Sequence, residues 1–369
     1  MITYCTNIHP GESWGETFKN LESFLPAVKA AVSPHEPFPV GLRLSKLAAC
    51  EVDEYKAAEF AGWLEEAGLY LPTVNGFPYG EFHSGSVKEN VYLPDWRSSA
   101  RVDYTLRIAS LLDFWLPENV RGSISTVPVA FREGFDRVDL ATVRKHLYDV
   151  LQGLDRLRQK SGKEIVLSLE PEPGCHLETT GEVVSFFEEM NFPEDLRSGI
   201  GVCFDCCHQA IQFESPAKSL ALLEDAGIKI GKVQISSAPS IINPSSPDLE
   251  LFQEQVYLHQ VVVRNVTGNQ LSRYNDLPDA LGRHVPVGDE EWRIHFHMPV
   301  FLEQAGRIST TRAFIEEMLP LLDDDMLLEV ETYTLGVLPQ ELMMSGVTDS
   351  IIRELKWVRA LKDETNRRS

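Results

Sequence analysis

The fold is decided by the stretch Ile165-Val-Leu-Ser-Leu-Glu170-Pro-Glu172-Pro-Gly174. Its first residues form a short apolar run typical of a buried parallel strand, and a carboxylate stands directly after that run. Similar runs recur along the 369-residue chain. The predicted strands are Ile2–Thr6, Phe38–Leu44, Leu69–Asn75, Gly122–Val127, Glu164–Glu170, Gly199–Asp205, Ile230–Ser236 and Met326–Thr332.

Helical patterns separate these strands. The clearest amphipathic stripe consists of Leu140, Val143, Leu147, Leu151, Leu154 and Leu157. Gly68, Gly162 and Gly227 stand where helices should end, because glycine accepts the left-handed conformation. The alternation predicts an α/β fold, a (β/α)8 TIM barrel, as one domain over 1–369. An open doubly wound sheet is the alternative, but no Gly-x-Gly-x-x-Gly motif follows the first strand.

Two long segments extend the chain beyond the ~250 residues of a bare barrel. One runs from Gly76 to about Trp96 after the third predicted strand, and the other covers about 237–292 after the seventh. Both leave the C-terminal ends of strands, where barrel enzymes have their active sites. We therefore predict that the second segment is a lid or pocket wall.

Composition limits the classes of partner. The 34 Lys and Arg residues against 55 Asp and Glu give a net charge of −21, which disfavours nucleic acid. No apolar run is long enough to span a bilayer, and the N-terminus lacks a signal-peptide pattern. The six scattered cysteines indicate a reducing, cytoplasmic location. The oligomeric state is left open, a homo-oligomer included.

Polar residues at the ends of the last four barrel strands predict a metal site. They are Glu170, Asp205, Gln234 and Glu331. In a closed barrel these side chains would converge, and three crowded carboxylates would share protons or surround a cation. The all-oxygen set favours Mn²⁺ or Mg²⁺, with Zn²⁺ or Co²⁺ as alternatives. The structural alternative is that each carboxylate only caps the helix that follows it.

Two neighbouring carboxylates compete for the same roles. Glu172 and Glu329 each lie two residues from a chosen ligand and share its strand face, which leaves the register open. Cys203, Cys206 and Cys207 precede His208, but a structural zinc site would need a second ligand pair. We interpret these cysteines as core and loop residues.

These residues resemble a known superfamily. The run Asp205-Cys-Cys-His208 is similar to the Asp-x-x-His of xylose-isomerase-like sugar isomerases and epimerases, and Glu170, Glu331-Thr332 and Lys232-Val-Gln234-Ile resemble their strand-five, strand-eight and strand-seven segments. The resemblance implies that Glu170 and Glu331 act as base and acid on either side of an enediolate. It also implies that His208 bonds a substrate hydroxyl.

A narrower resemblance points to one branch of the superfamily. The segments Leu169-Glu-Pro-Glu-Pro-Gly174, Trp292-Arg-Ile-His-Phe-His-Met-Pro299 and Leu328-Glu-Val-Glu-Thr-Tyr-Thr334 look like those of EboE-type metabolite-traffic proteins. That branch implies a sugar, keto-polyol or cyclitol substrate in a metabolite biosynthesis or traffic pathway.

Further side chains are candidates for substrate binding. His295 and His297 would share one face of an extended stretch and reach the pocket as substrate or extra metal ligands. His9 and Asn75 stand near the ends of early strands. The leading hypothesis is a metal-dependent isomerase or epimerase. The alternatives are a non-enzymatic metal- or polyol-binding carrier, a metal-dependent hydrolase or endonuclease of the same superfamily, and a paired-carboxylate glycosidase.

Overall fold

The computed structural model describes residues 1–83, 87–267, 270–338 and 346–368. The strands are β1 Ile2–Tyr4, β2 Phe38–Arg43, β3 Leu69–Asn75, β4 Gly122–Thr126, β5 Ile165–Leu169, β6 Ile200–Asp205, β7 Lys229–Ile235, β8 Pro239–Ile242, β9 Val261–Asn265, β10 Leu271–Tyr274, β11 Glu290–Ile294, β12 Gln304–Ala305, β13 Ile308–Thr310 and β14 Leu328–Val330.

Helices lie between the strands. The α-helices are α1 Trp14–Val32, α2 Lys46–Glu51, α3 Glu54–Glu66, α4 Ser99–Trp115, α5 Leu140–Ser161, α6 Thr180–Met190, α7 Glu194–Arg197, α8 Cys206–Ile211, α9 Pro216–Asp225, α10 Ser246–Glu250, α11 Leu277–Arg283, α12 Arg312–Met318 and α13 Val347–Arg368. Short 3-10 helices span Thr6–Ile8, Lys88–Tyr92, Arg137–Asp139, Leu319–Leu321 and Tyr333–Val337. Among the described helices, none combines the length and apolarity needed to cross a lipid bilayer.

Eight parallel strands form the barrel predicted from the sequence. Their order is β1-β14-β7-β6-β5-β4-β3-β2, and a parallel bridge between Cys5 and Gly41 joins the two edges of this sheet. The buried stripe on α5 packs one helix onto the barrel, and that helix ends at Gly162 in the left-handed conformation (φ 78°). The predicted TIM barrel is therefore confirmed.

The segment after β7 forms a second sheet with its own apolar core. Its antiparallel strands have the order β10-β9-β11-β8-β13-β12. Phe252, Val263 and Trp292 are among the buried residues of that core. The sheet extends to Thr310, beyond the predicted boundary near 292, because β13 pairs back onto β8. The residues that follow β11, His295 among them, lie at the C-terminal end of the barrel.

A bulge in β7 sets which side chains enter the barrel. Val202 pairs with Ile230 and Cys203 with Lys232, so Gly231 is the extra residue. A Cβ on Gly231 would lie 2.1 Å from Ser168 Oγ, which explains the glycine there.

An ion pair fills the barrel interior below the strand ends. Lys232 on β7 donates to Glu329 on β14, and both side chains are fully buried. Glu329 also lies directly against Gly41 of β2, which is separated from β14 only by β1. Burial is the largest single effect and lowers the pKa of Lys232, but Glu329 and the further neighbours Cys203, Cys5 and Glu170 together raise that pKa above its usual range.

Candidate metal centre and pocket

Polar side chains converge at the C-terminal ends of the barrel strands. Glu170 follows β5, Asp205 ends β6 and Glu331 follows β14, and their carboxylate oxygens lie within 4.8 Å of one another. Gln234 of β7 pairs in register with Asp205 and is fully buried. The structure thus brings together the four side chains singled out from the sequence.

Several oxygens of this cluster lack a hydrogen-bond donor within the described ranges. They are Glu170 Oε2, Asp205 Oδ2 and Gln234 Oε1; the Gln234 Nε2 also has no partner there. An unsatisfied buried polar group costs about 1–3 kcal/mol. A divalent cation would satisfy the three oxygens together, so the residues present fit a metal of the Mg²⁺ or Mn²⁺ type.

The remaining oxygens of the cluster are held by neighbouring donors. Asn7 Nδ2 and Asn75 Nδ2 donate to Glu331 Oε1 at 2.8 and 3.2 Å. The Ser236 hydroxyl donates to Asp205 Oδ1 at 2.7 Å, and the backbone amide of His208 donates to the same oxygen at 2.9 Å. These bonds fix the carboxylates and direct their other oxygens toward the centre of the cluster. Asn75, predicted as a substrate ligand, thus holds a carboxylate and also lines the pocket.

Burial and mutual repulsion perturb the carboxylates. Burial, and next the neighbouring Asp205, raise the pKa of Glu170 well above its usual range. The pKa of Glu331 is also raised well above its usual range, first by burial and then by the neighbouring Glu170. In the absence of a cation these groups therefore tend to keep protons, and a bound cation would favour their ionised forms.

The two competing carboxylates occupy different places. Glu329 pairs with Lys232 inside the barrel and is absent from the set of described residues that line the pocket. Glu172 does line the pocket, where its Oε1 accepts a hydrogen bond from the Tyr92 hydroxyl at 2.9 Å. The assignment of Glu170 and Glu331 as metal ligands remains a prediction, and this geometry favours it.

Three buried histidines lie beside the carboxylates. His208 Nε2 and His295 Nε2 are 3.1 Å apart, and His297 Nδ1 donates to the Glu331 backbone carbonyl at 2.8 Å. Burial lowers the pKa of His208, and it lowers the pKa of His297 to about 4. Burial, and next the neighbouring histidines, lower the pKa of His295 well below its usual range. All three rings are therefore neutral near pH 7.

His9 lies apart from these groups. Its Nε2 is 3.1 Å from the Tyr4 hydroxyl, and its ring stacks on Phe24 with a centroid distance of 4.1 Å. It is not among the described side chains that line the pocket, because the turn after β1 directs the ring toward α1. The structure therefore does not bring this predicted substrate ligand to the site.

The pocket combines a polar floor with an aromatic wall. It encloses about 530 Å³, including the space open to solvent. Its carboxylates and imidazoles belong to Glu170, Glu172, His208, His295 and Glu331, and Lys88 contributes an amine. The wall includes Phe77, Phe82, Tyr92, Tyr257 and Tyr333. Tyr257 and Tyr333 were missed from sequence because their contact depends on how the inserted sheet folds back, for which no local pattern exists.

Solved structures resemble this chain over almost its whole length. A xylose isomerase-like TIM barrel protein from Mycobacterium smegmatis, in complex with magnesium, has a TM-score of 0.55 at 10% identity, with 99% of this chain and 97% of that chain covered. A D-allulose 3-epimerase from Methylomonas sp., in complex with D-allulose, has a TM-score of 0.53 at 12% identity, with 97% and 96% covered. The fold is that of the xylose isomerase-like TIM barrels.

A third solved structure of similar fold contains zinc. The IOLI protein with a bound zinc atom has a TM-score of 0.51 at 11% identity, with 99% of this chain and 98% of that chain covered. The sequence matches no protein-family model and no curated protein. The predicted xylose isomerase-like barrel is confirmed as a fold, while membership of the EboE-type branch stays a prediction.

Proposed function

We propose that this protein is a divalent-metal-dependent isomerase or epimerase of a sugar, keto-polyol or cyclitol. The observation that carries the proposal is the cluster of Glu170, Asp205, Gln234 and Glu331 beside the pocket. In this cluster Glu170, Asp205 and Gln234 each have a buried oxygen without a donor in the described structure. A cation bound there would act as a Lewis acid toward a substrate carbonyl. The magnesium-bound, zinc-bound and D-allulose-bound structures of the same fold support this choice.

The ligands divide into two groups by their access to the pocket. Glu170 and Glu331 line the pocket, whereas Asp205 and Gln234 lie behind them and are fully buried. We assign metal holding to all four side chains and proton transfer to the two that substrate can reach. One carboxylate would take the proton from the carbon next to the carbonyl. The other would return a proton to the opposite face of the same carbon in an epimerisation, or to the neighbouring carbon in an isomerisation.

The histidines and the aromatic wall would orient the substrate. His208 and His295 present ring nitrogens toward the pocket, where they can bind hydroxyl groups. We also assign His297 to the site, because its Nε2 has no partner in the described parts of the chain and it lies close to Asp205 and His208. The aromatic side chains would exclude water and cover the apolar faces of a sugar ring.

Exchange of carbon-bound hydrogen tests the proposal. The metal-loaded protein is incubated with a panel of ketoses and inososes in deuterated water, and deuterium next to the carbonyl is measured by NMR. We expect incorporation that disappears after chelation and in Glu331→Gln. Glu290→Gln is the matched control, because Glu290 is similarly buried but lies on β11, where its carboxylate contacts His284 and Trp292 outside the pocket.

Two different outcomes of this experiment would contradict the proposed function, one concerning the metal and one concerning the reaction. Exchange that survives chelation would contradict metal dependence. Binding of a polyol without any exchange across the panel would contradict the proposed reaction and favour the carrier alternative.

A further inference from the structure

A second group of ligands lies in the wall of the pocket. A ring nitrogen of His208, a ring nitrogen of His295 and a carboxylate oxygen of Glu172 lie within 4.8 Å of one another. The two Nε2 atoms are 3.1 Å apart, and Glu172 Oε1 lies 3.6 Å from His295 Nδ1. Glu172 Oε2 has no hydrogen-bond partner among the residues that the structure describes, and all three side chains are at most 6% exposed. These three groups come from the loop after β5, from α8 and from the segment after β11.

The hydrogen bonds of His208 fix its tautomer. Its Nδ1 lies 2.9 Å from the backbone carbonyl oxygen of Pro171. A carbonyl oxygen only accepts, so Nδ1 must carry the proton. In the neutral ring the Nε2 then presents a lone pair to the pocket.

The same reasoning applies to His295 through Gln260. The amide nitrogen of Gln260 donates to the Pro173 carbonyl at 2.8 Å and to the Tyr92 hydroxyl at 2.8 Å. This orients Gln260 Oε1 toward His295 Nδ1, at 2.7 Å, so that Nδ1 is the donor. The Nε2 of neutral His295 therefore also presents a lone pair.

Two lone pairs thus face each other across 3.1 Å with no hydrogen between them. Such a contact is unfavourable unless a donor or a cation engages the lone pairs. The Tyr333 hydroxyl lies 3.5 Å from His295 Nε2 and can donate to it, which leaves the His208 lone pair for a cation. Two imidazole nitrogens that each lie about 2.0–2.1 Å from one tetrahedral zinc ion are roughly 3.3 Å apart, close to the separation found here. Glu172, which belongs to the same group and has an oxygen without a partner in the described ranges, completes a set of two histidines and one glutamate. Such a set leaves a position open for water or substrate.

We propose that His208, His295 and Glu172 form a second cation site, selective for an imidazole-binding metal such as Zn²⁺ or Co²⁺. The Pro171 carbonyl, Gln260 and the Tyr92 hydroxyl orient its ligands as an outer shell. The carboxylate cluster, by contrast, is suited to Mg²⁺ or Mn²⁺. The proposed function assigns a substrate hydroxyl to His208 and His295. When the second site is occupied, that hydroxyl binds to the cation and not directly to the imidazole nitrogens.

The two sites are close but can be tested separately. Asp205 Oδ1 lies 3.9 Å from His208 Nε2, so the second site adjoins the first. The second site rests on the grouping of the three side chains and on the unpartnered oxygen of Glu172, and it does not depend on the proposed reaction. Its occupancy is therefore measured by metal content and spectroscopy rather than by turnover.

Metal counting gives the first readout. Chelator-stripped protein is reloaded with Zn²⁺ or Co²⁺, desalted and analysed by mass spectrometry of the metal. We expect about two ions per chain in the wild type, about one in His295→Gln and about one in Glu331→Gln. His146→Gln is the control, since His146 bonds the Trp96 carbonyl outside the pocket, and it should retain both ions.

The ¹⁵N chemical shifts of the histidines provide a readout on the wild-type chain. Addition of Zn²⁺ should shift the Nε2 signals of His208 and His295, while their Nδ1 signals remain those of a protonated nitrogen. One ion per chain, lost in Glu331→Gln and kept in His295→Gln, would overturn the second site and leave the first intact. Two ions without deuterium exchange would support the second site and contradict the proposed reaction. Nε2 signals that do not shift at saturating Zn²⁺ would also overturn the second cation site.

Discussion

The buried ion pair inside the barrel gives a sharp prediction about stability. Lys232→Met removes the amine and leaves the Glu329 carboxylate fully buried, with its Oε1 already without a partner in the described structure. Removing one partner of a buried pair costs about 3–5 kcal/mol, because an uncompensated charge stays in the interior. This is a large part of the ~5–15 kcal/mol that stabilises a folded domain.

A double variant at Lys232 and Glu329 shows how much of the lost stability comes from the unpaired charge and how much from packing. Lys232→Met with Glu329→Met removes both charges, and replacing a buried pair by apolar residues is often neutral or stabilising. We therefore expect the double variant to be more stable than Lys232→Met alone.

Urea unfolding in the presence of a chelator, followed by circular dichroism, measures these free energies without a contribution from bound metal. Lys46→Met is the control, because Lys46 is exposed and such changes usually stay within about 0.5 kcal/mol. A cost below about 1 kcal/mol for Lys232→Met, or a double variant as unstable as the single one, would refute the assignment of Glu329 to the ion pair.

Three further predictions concern the metal ligands and their surroundings. Asn7→Ala removes a donor to Glu331 and should weaken Mn²⁺ binding about 10–100-fold in a calorimetric titration, as loss of an outer-shell bond usually does. Burial raises the pKa of Glu354 to about 7, so the folded state keeps a proton that the unfolded state loses, and this group lowers stability between about pH 4.5 and 7. Glu354→Gln should make the pH slope in denaturation curves shallower, and the rest of the slope comes from buried carboxylates such as Glu170 and Glu331. Mn²⁺ at 100 times its dissociation constant should add about 2.7 kcal/mol of stability, reversed by chelation.

The positions of the carboxylates could be predicted because they depend on local pattern. Short apolar runs specify the strands, and parallel strands in a barrel end at one face, so Glu170, Asp205 and Glu331 had to approach one another. The expectation for Gln234 followed from the same geometry, and its in-register pairing with Asp205 agrees.

The choice between neighbouring carboxylates needed three-dimensional contacts. Glu329 and Glu331 share a strand face, and only the contact of Glu329 with Lys232 and Gly41 shows that it lies deeper in the barrel. That contact joins residues far apart in the sequence.

The contact between His208 and His295 could not be predicted from the sequence. His295 was a candidate from its place in an extended stretch, but its approach to His208 depends on the fold of the second sheet. The role of Gln260, which fixes the His295 tautomer, has no sequence signal at all, because a glutamine in a strand-flanking loop is chemically ordinary. Conversely, His9 stood near the end of β1 and yet turns toward Phe24.

The most direct test of the central claim is a calorimetric titration of chelator-stripped protein with Mn²⁺, comparing the wild type with Glu331→Gln. The variant keeps an oxygen that can accept from Asn7 and Asn75 but loses the negative charge. The carboxylate centre predicts saturable binding of Mn²⁺ to the wild type and at least a ~10-fold loss of affinity in the variant. Equal affinity in the two proteins, or no binding to the wild type, would contradict the metal centre.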